Sequence, residues 1–511
     1  MRPLSSGALS DATSSGPDPQ AIVLALDAGS SSVRCSAYWA TGEPIPESRQ
    51  QLPFHLSPDG TAPVASFRQQ VERAVDGCLE RLRGRGLAQR IQGVGWANFA
   101  MSWLAVDEAG RPLTPAFTYA DTRSGPATDE LRAELQAAGL LDILHQETGA
   151  PIHSAYAPAQ LRRLAQEDPA LLKRVHRWQT LPSHLLACWQ GRSWQAVSSC
   201  EAGWTGLLDR RRLDWHSELL ARLPLEPDQL PPVHDYTQST AGLTPAYAAR
   251  WPELQDTPFF LAVGDGAAAN IGSQCLGPER VALTVGTSGA MRVVLPRDEA
   301  RPVPPGLWSY PVDRERELVG GAITDGGSVY RWLRRTLRVP DESRLLAEVA
   351  AMSPDSHGLT VLPFLHGERS PGWASQARFT VHGATEATTP AQLVRASIEA
   401  VSFRLGLIGE RLFPQIHPET GCFASGGALR TAPYWRQILA DVLDRPVHLA
   451  PVQDATSRGA ALLALQALGR LRLEELPPPS AIRTARPSPA RHARYRQAMA
   501  RQQELYHRLL G

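Results

Sequence analysis

Lysine is almost absent from this 511-residue chain: Lys173 is the only one, and arginine supplies nearly all the positive charge. That scarcity excludes two common ways of gripping a polyphosphate. A P-loop needs G-x-x-x-x-G-K-[ST], and a protein kinase needs a strand lysine on the α and β phosphates; Lys173, in LLKRVHRW, fits neither. Any phosphate handled here must meet backbone dipoles, hydroxyls, arginine and a metal ion. No apolar run reaches the roughly 18 residues of a spanning helix, and the N-terminus lacks a charged segment followed by an apolar one, so a cytoplasmic location without a membrane partner is expected. A formal net charge of +1 gives no reason to invoke nucleic acid. The six cysteines (Cys35, Cys78, Cys188, Cys200, Cys275, Cys422) show no C-x-x-C spacing. They argue against a zinc site or a disulfide framework and read as small buried hydrophobes.

What is present is a repeated layout. Ile22 to Trp39, IVLALDAGSSSVRCSAYW, and Val281 to Leu295, VALTVGTSGAMRVVL, each run apolar strand, tight Gly/Ser/Thr turn, apolar strand. Such turns leave backbone N–H groups uncovered and suit phosphate. Two of them predict two similar domains gripping one polyphosphate from opposite sides, and the length supports more than one core. Residues 1–19 are too polar to bury a face and are expected to be a disordered tail. Beyond them, short apolar strands alternate with amphipathic segments, an α/β pattern. The expected domains are 20–275 and 276–475, divided near QCLGPER, with 476–511 a C-terminal tail ending in a surface helix from Arg491 to Leu510. The duplicated hairpin units point to two actin-like (ribonuclease H-like) domains enclosing nucleotide in a central cleft.

Four ordered segments carry a specific resemblance. LALDAGSSSVR, FLAVGDGAAANIGS, LTVGTSGAMR and GGALRTAPYWRQILADVLDRPVHLAPVQDATSRGAALLA resemble the first phosphate motif, the catalytic-aspartate segment, the second phosphate motif and the C-terminal signature of the FGGY carbohydrate kinases. The resemblance implies ATP and Mg²⁺ as cofactors, with Asp265 as the base on a sugar hydroxyl; a carboxylate within hydrogen-bond reach is what that chemistry requires. The alternative reading of Asp265 is a helix cap. Asp27 is implied to hold Mg²⁺, with Asp265 the second carboxylate at the metal, although Asp27 alone could be an Asx turn. Gly29, Ser30, Ser31, Ser32 and Arg34 are expected on the phosphates from one side, and Gly286, Thr287 and Ser288 from the other. Gly327, Arg331, Gly426, Gly427 and Thr431 match nucleotide-contacting positions. Arg34 and Arg331 read equally as surface cations, and Thr431 stands where relatives often carry asparagine.

On the sugar side, TYADTRSG and TGAPIHSAYAPAQL resemble the gluconokinase-like branch. Candidate contacts are Asn98, Ala100, Met101, Asp121, Arg123, His153 and Tyr156, with Arg123, His153 and Tyr156 as donors to a gluconate carboxylate. Each has a plain alternative: Arg123 pairing with Asp121, His153 structural, Tyr156 in the core. Ala100-Met101 replaces a frequent Met-His pair, Tyr119 a usual Trp, and Gln160 a frequent Lys, with Asn98 or Trp103 left to compensate. The expected activity is ATP-dependent phosphorylation of a small-molecule sugar acid or polyol, foremost D-gluconate. A xylulokinase or other polyol kinase is the alternative within the family, and an actin-like ATPase switch the alternative outside it. A homodimer is the one assembly allowed for.

Overall fold

A computed structural model of the protein describes residues 20–339, 341–451 and 454–510; the expected tail at 1–19 lies outside the described residues. The first seven-stranded sheet comprises β1 (Ile22–Ala28), β2 (Ser32–Trp39), β3 (Gln50–Pro53), β4 (Ile91–Asn98), β5 (Ser239–Thr240), β6 (Phe259–Phe260) and β7 (Val263–Gly264). Their order is β5-β6-β4-β1-β2-β3, with β7 also on β4. The second sheet comprises β8 (Arg280–Val285), β9 (Gly289–Pro296), β10 (Trp308–Pro311), β11 (Arg316–Ile323), β12 (Gly421–Ser425), β13 (Val447–Leu449) and β14 (Arg483–Ala485), ordered β10-β11-β9-β8-β12-β13-β14. In each, the first strand pairs antiparallel with the next and parallel with a later one: β1 with β2 and β4, β8 with β9 and β12. The same α/β layout is thus present twice, once in each half, around equivalent hairpins.

Period-two alternation explains how both faces are filled. All of β1 is buried. Ile22, Leu24 and Leu26 pack on one side with Phe67, Val71 and Val75 of the helix Val64–Arg83. Val23 and Ala25 face the opposite side and meet Ala460, Ala461 and Ala464. The second sheet repeats this, with Val281, Leu283 and Val285 packed beside Val394, Ile398 and Val401 of a long helix over Pro390–Leu412.

Between the sheets lie two helices, α1 (Asp265–Gly272) and α2 (Ala455–Ala467). α2 covers the first sheet although it comes from the second half of the chain, and α1 reaches Val294 and Leu318 of the second sheet in one shared cluster. They approach so closely that a Cβ on Gly459 would lie 1.8 Å from the Ala268 carbonyl oxygen, and one on Gly272 1.8 Å from that of Ala455. Arg458 donates to the Gly272 carbonyl at 2.7 Å, closing the end of α1.

The apolar run from Phe259 to Val263 forms two short strands, β6 and β7, because the Leu261 amide turns to the Gln238 carbonyl at 3.1 Å instead of continuing the ladder on β4. One expectation is refined: residues 476–510 are docked on the second half and not a free tail. They add β14 to the sheet edge, and the expected surface helix, α3 (Pro489–Leu510), lays one face on the protein, burying Tyr495, Ala498, Met499 and Gln502. Tyr495 donates to Glu399 at 3.0 Å, the same carboxylate that pairs with Arg395 at 2.6 Å. One buried charge network therefore pins the helix to the domain.

Replacing Gly459 by Ala would ordinarily favour a helix, yet here the added methyl has no room. Gly459→Ala is expected to destabilise the fold by about 1–3 kcal/mol through overpacking, read as a lower melting temperature; an unchanged or higher one would show that the helices can separate freely.

Candidate active site

The ends of β1, β4 and β7 set three polar side chains side by side. Register pairs Asp27 with Ala97, Ala28 with Asn98, and Gly264 with Asn98, so Asp27, Asn98 and Asp265 emerge at one edge of the first sheet. Asp265 opens α1 after the N-cap Gly264. Its carboxyl is pushed up to about 6, chiefly by burial and also by Asp27, while Arg292 and the Gly266 amide pull it down. Asp27 is buried and accepts from Arg34 at 2.8 Å and Ser457 at 3.3 Å, both on Oδ2. Burial still raises its carboxyl above the usual range.

The first turn places Ser30 at the site, its hydroxyl 2.8 Å from that of Tyr119. Ser31 is exposed, Ser32 buried, and the Gly29 amide closes the hairpin on the Ser32 carbonyl at 2.9 Å. Arg34, expected on phosphate, is engaged by Asp27. The second turn, Gly286 to Ser288, is braced from behind. Gly326 and Ser328 donate to the Thr287 carbonyl at 2.8 and 3.2 Å, and Gly327 to the Gly286 carbonyl at 2.8 Å. Thr287 and Ser288 stay exposed. Arg331 donates to the Thr287 hydroxyl at 2.9 Å, so it belongs to the turn and is not an isolated surface cation. Gly426, with φ +96°, lies where a Cβ would meet the Val285 carbonyl oxygen at 2.4 Å; only glycine fits beside the turn in that conformation. Gly427 and Thr431 bound the short helix that follows, and the Thr431 hydroxyl donates back to the Gly427 carbonyl at 2.9 Å.

A cavity of about 220 Å³ lies between the halves, lined by Asp265, Ser30, Ala100, Met101, Ser288 and Ala290 together with Tyr119, Trp204, Tyr310, Arg292 and Arg369. Met101 sits at φ +60° at the start of this wall. The remaining sugar-side candidates lie outside the lining. Arg123 forms a two-pronged pair with Asp121 at 2.9 and 2.7 Å and reaches Asp59 at 3.1 Å. Tyr156 bonds the Tyr310 hydroxyl and touches the cavity only through it. His153 is buried, with Nδ1 accepting from the Ala155 amide at 3.2 Å; burial and the charges of Arg369 and Arg132 press it down to about 3. Asn98 donates to the Phe99 carbonyl at 2.8 Å and Ser102 at 2.7 Å, and the Trp103 indole donates to Gln160 at 2.6 Å.

Two charged residues at the site were not anticipated, Arg292 and Arg369, nor were the aromatic walls Trp204, Trp308 and Tyr310. Arg292 interrupts the apolar run AMRVVL on β9, and a lone charge inside an apolar strand is a usable signal. Arg369 stands in a Gly/Pro-rich loop, HGERSPGW, where nothing in the pattern distinguishes it.

Two actin-like halves, each with a Gly/Ser/Thr turn facing one cavity that holds a buried carboxylate, define a two-domain α/β phosphotransferase layout. Residues 22–272 match the FGGY family of carbohydrate kinases, N-terminal domain, and residues 281–468 its C-terminal domain. The chain belongs to the FGGY family of carbohydrate kinases. It is 25% identical over 462 residues to the gluconokinase of Bacillus subtilis (strain 168), covering 88% of each chain. It is 28% identical over 465 residues to the glycerol kinase of Citrifermentans bemidjiense, covering 86% of this chain and 89% of that protein. The crystal structure of gluconate kinase from Lactobacillus acidophilus superposes with a TM-score of 0.85 at 24% identity, covering 96% and 98% of the two chains.

A carboxylate raised to about 6 has a pH signature if it acts as a base. The unprotonated form is required, so kcat/KM should fall with unit slope as pH drops through about 6, where an aspartate at its ordinary 3.8 would stay active well below that. The folded state holds this proton more tightly than the unfolded chain, so the same group lowers stability as pH rises from 3.8 toward 6. A profile flat to pH values near 4 would remove Asp265 from that role.

Proposed function

We propose that the protein transfers the γ-phosphoryl group of ATP to a hydroxyl of a sugar acid, foremost D-gluconate, giving 6-phosphogluconate. The observation that carries the reading is the joint lining of one cavity by Asp265, Ser30 of the first turn and Ser288 of the second. A polyol seated there meets a base on one side and the phosphate turns on the other. Asp265 orients the attacking hydroxyl and takes its proton; its position at the start of α1 fixes the carboxylate, and Arg292 offsets the charge. The Ser30 to Ser32 and Gly286 to Ser288 turns hold the phosphate chain with hydroxyls and amides, and Arg331 adds a cation beside Thr287. Gly327, Gly426, Gly427 and Thr431 border the side on which the nucleoside would lie. Because the turns belong to opposite halves, both engage one nucleotide only across the cleft, which also excludes water from the transfer.

Among the described residues no group of three or more His, Cys, Asp or Glu is placed to hold a metal by itself. The site does fit Mg²⁺, which usually takes one or two carboxylates and otherwise keeps water and substrate phosphates. Asp27 would hold it, its two side-chain bonds falling on Oδ2 alone, with Asp265 near enough to share the field. The ion would neutralise charge on the phosphates.

Gluconate over other polyols is supported by the relatives named as gluconokinases and by the arginines of the cavity. The glycerol kinase relative and the family at large keep xylulose, other ketoses and glycerol as the competing substrates. A nucleotide switch that hydrolyses ATP without a sugar is disfavoured by the enclosed cavity at Asp265.

A coupled ADP-release assay with MgATP and gluconate, xylulose, ribulose, glycerol or no sugar tests the reading. Release dependent on gluconate is expected; preference for a neutral polyol would reassign the substrate, and sugar-independent release would favour the switch. Asp265→Asn is expected to cut turnover by roughly 10² to 10⁴-fold while ATP binding and the melting curve persist; near-normal turnover would remove the base assignment.

A further inference from the structure

The residues lining the cavity carry one carboxylate, Asp265, and two guanidinium groups, Arg292 and Arg369. The Nε atoms of both arginines are buried without a hydrogen-bond partner. The two are not equivalent. Arg292 is tied to the catalytic end: its charge is the largest influence lowering the Asp265 carboxyl, its Nη1 lies 2.9 Å from where a Cβ on Gly266 would stand, and Nη2 donates to the Thr284 hydroxyl at 3.2 Å. Arg292 therefore balances Asp265. Arg369 also lowers the Asp265 carboxyl, but less than Arg292 does, and among the described residues no carboxylate is bonded to it. It stacks over the Tyr119 ring at 5.2 Å and donates to the Ile323 carbonyl at 3.4 Å.

A half-buried cation facing an enclosed space without an anion is costly unless a ligand supplies one. We propose that Arg369 is the specificity-determining residue of the sugar pocket and binds the carboxylate of a sugar-acid substrate. A neutral polyol of the same length leaves that guanidinium uncompensated. Repulsion from Asp265 points the substrate the same way: its anionic end is driven from the base and its far hydroxyl presented to it. The cavity, about 220 Å³ in volume, has room for a small polyol. Arg369 also belongs to the sugar side. Its charge reaches His153, Tyr156 and Tyr310, whereas the cation at the second phosphate turn is Arg331. Arg123, the arginine favoured on sequence, is already spent on Asp121 and Asp59.

The inference rests on the sugar-acid reading above, and the test separates the two. D-Gluconate and D-glucitol differ only in carrying a carboxylate or a CH₂OH at one end. Trp204 and Trp308 line the cavity, so binary binding can be followed by tryptophan fluorescence, and phosphorylation by ADP release. The wild-type protein is expected to prefer gluconate. Arg369→Met keeps an apolar stem over Tyr119 and should weaken gluconate binding by roughly 30-fold or more, the usual loss when one partner of a buried charge pair is removed. The effect should fall mainly on KM for gluconate, collapse the gluconate-to-glucitol ratio, and leave KM for ATP in its wild-type range. Arg369→Lys keeps the charge without the planar fork and should restore part of the ratio; it also serves if the Met variant fails to fold by circular dichroism. A preference for gluconate that survives in both variants overturns the assignment of Arg369 alone. Equal losses for gluconate and glucitol, or a raised KM for ATP, overturn it in favour of a role on the transferring phosphoryl group. A wild-type protein that binds only neutral polyols overturns the sugar-acid reading itself.

Discussion

Two helices that begin in different halves of the chain cross backbone to backbone, Gly459 against Ala268 and Gly272 against Ala455, and the chemistry is positioned from that crossing. α1 starts with Asp265; α2 carries Ser457, which bonds Asp27. Each helix packs on the sheet contributed by the other half. Asp265 and Asp27 are thus held by one small-residue contact that spans both halves. A side chain at the crossing would push the sheets apart and carry the two phosphate turns with them. That requirement explains why the helical segments DGAAANIG and ATSRGAALLALQA are composed largely of Ala and Gly.

The electrostatics follow from burial. Burial holds the carboxyls of both Asp27 and Asp265 above their ordinary range; Asp27 adds to the rise at Asp265, and Asp454 to that at Asp27. Arginine is the residue suited to this setting, since its guanidinium stays charged where a buried lysine would lose its proton. The positive charge around the cleft is accordingly carried by arginine alone: Arg34 on Asp27, Arg292 beside Asp265, Arg331 at the second turn and Arg369 over Tyr119.

Much of this was legible in the sequence. The continuous apolar runs in IVLALDA and RVALTV located the paired strands, because a strand buried on both faces can hardly be written otherwise. The Gly/Ser/Thr turns were legible because close backbone approach admits few residue types, and the place of Asp265 at a strand end beside the cleft was legible through its motif. Three features were not. The packing of α3 depends on Tyr495 meeting Arg395 and Glu399, a contact about a hundred residues long in sequence that leaves no periodic trace in a helix rich in arginine and glutamine. Arg369 enters the site from a loop whose course is set by the sheet beneath it. Arg123 misled in the opposite sense: its neighbour Asp121 is buried and claims it, and sequence does not say which of two nearby cations an acid will take.

The departures at the sugar wall acquire a physical meaning from their geometry. Met101 and Ala100 leave one face of the cavity without a polar anchor, and Tyr119 spends its hydroxyl on Ser30 while offering its ring to Arg369. An imidazole on that face would read hydroxyls along the polyol chain. An apolar face with a cation at one end and Asp265 among its walls reads the charge of the chain's terminus and tolerates variation along its length. Discrimination then rests on the cost of an uncompensated guanidinium rather than on the count of hydroxyl contacts, and such a pocket separates acids from alditols more sharply than it separates one sugar acid from another.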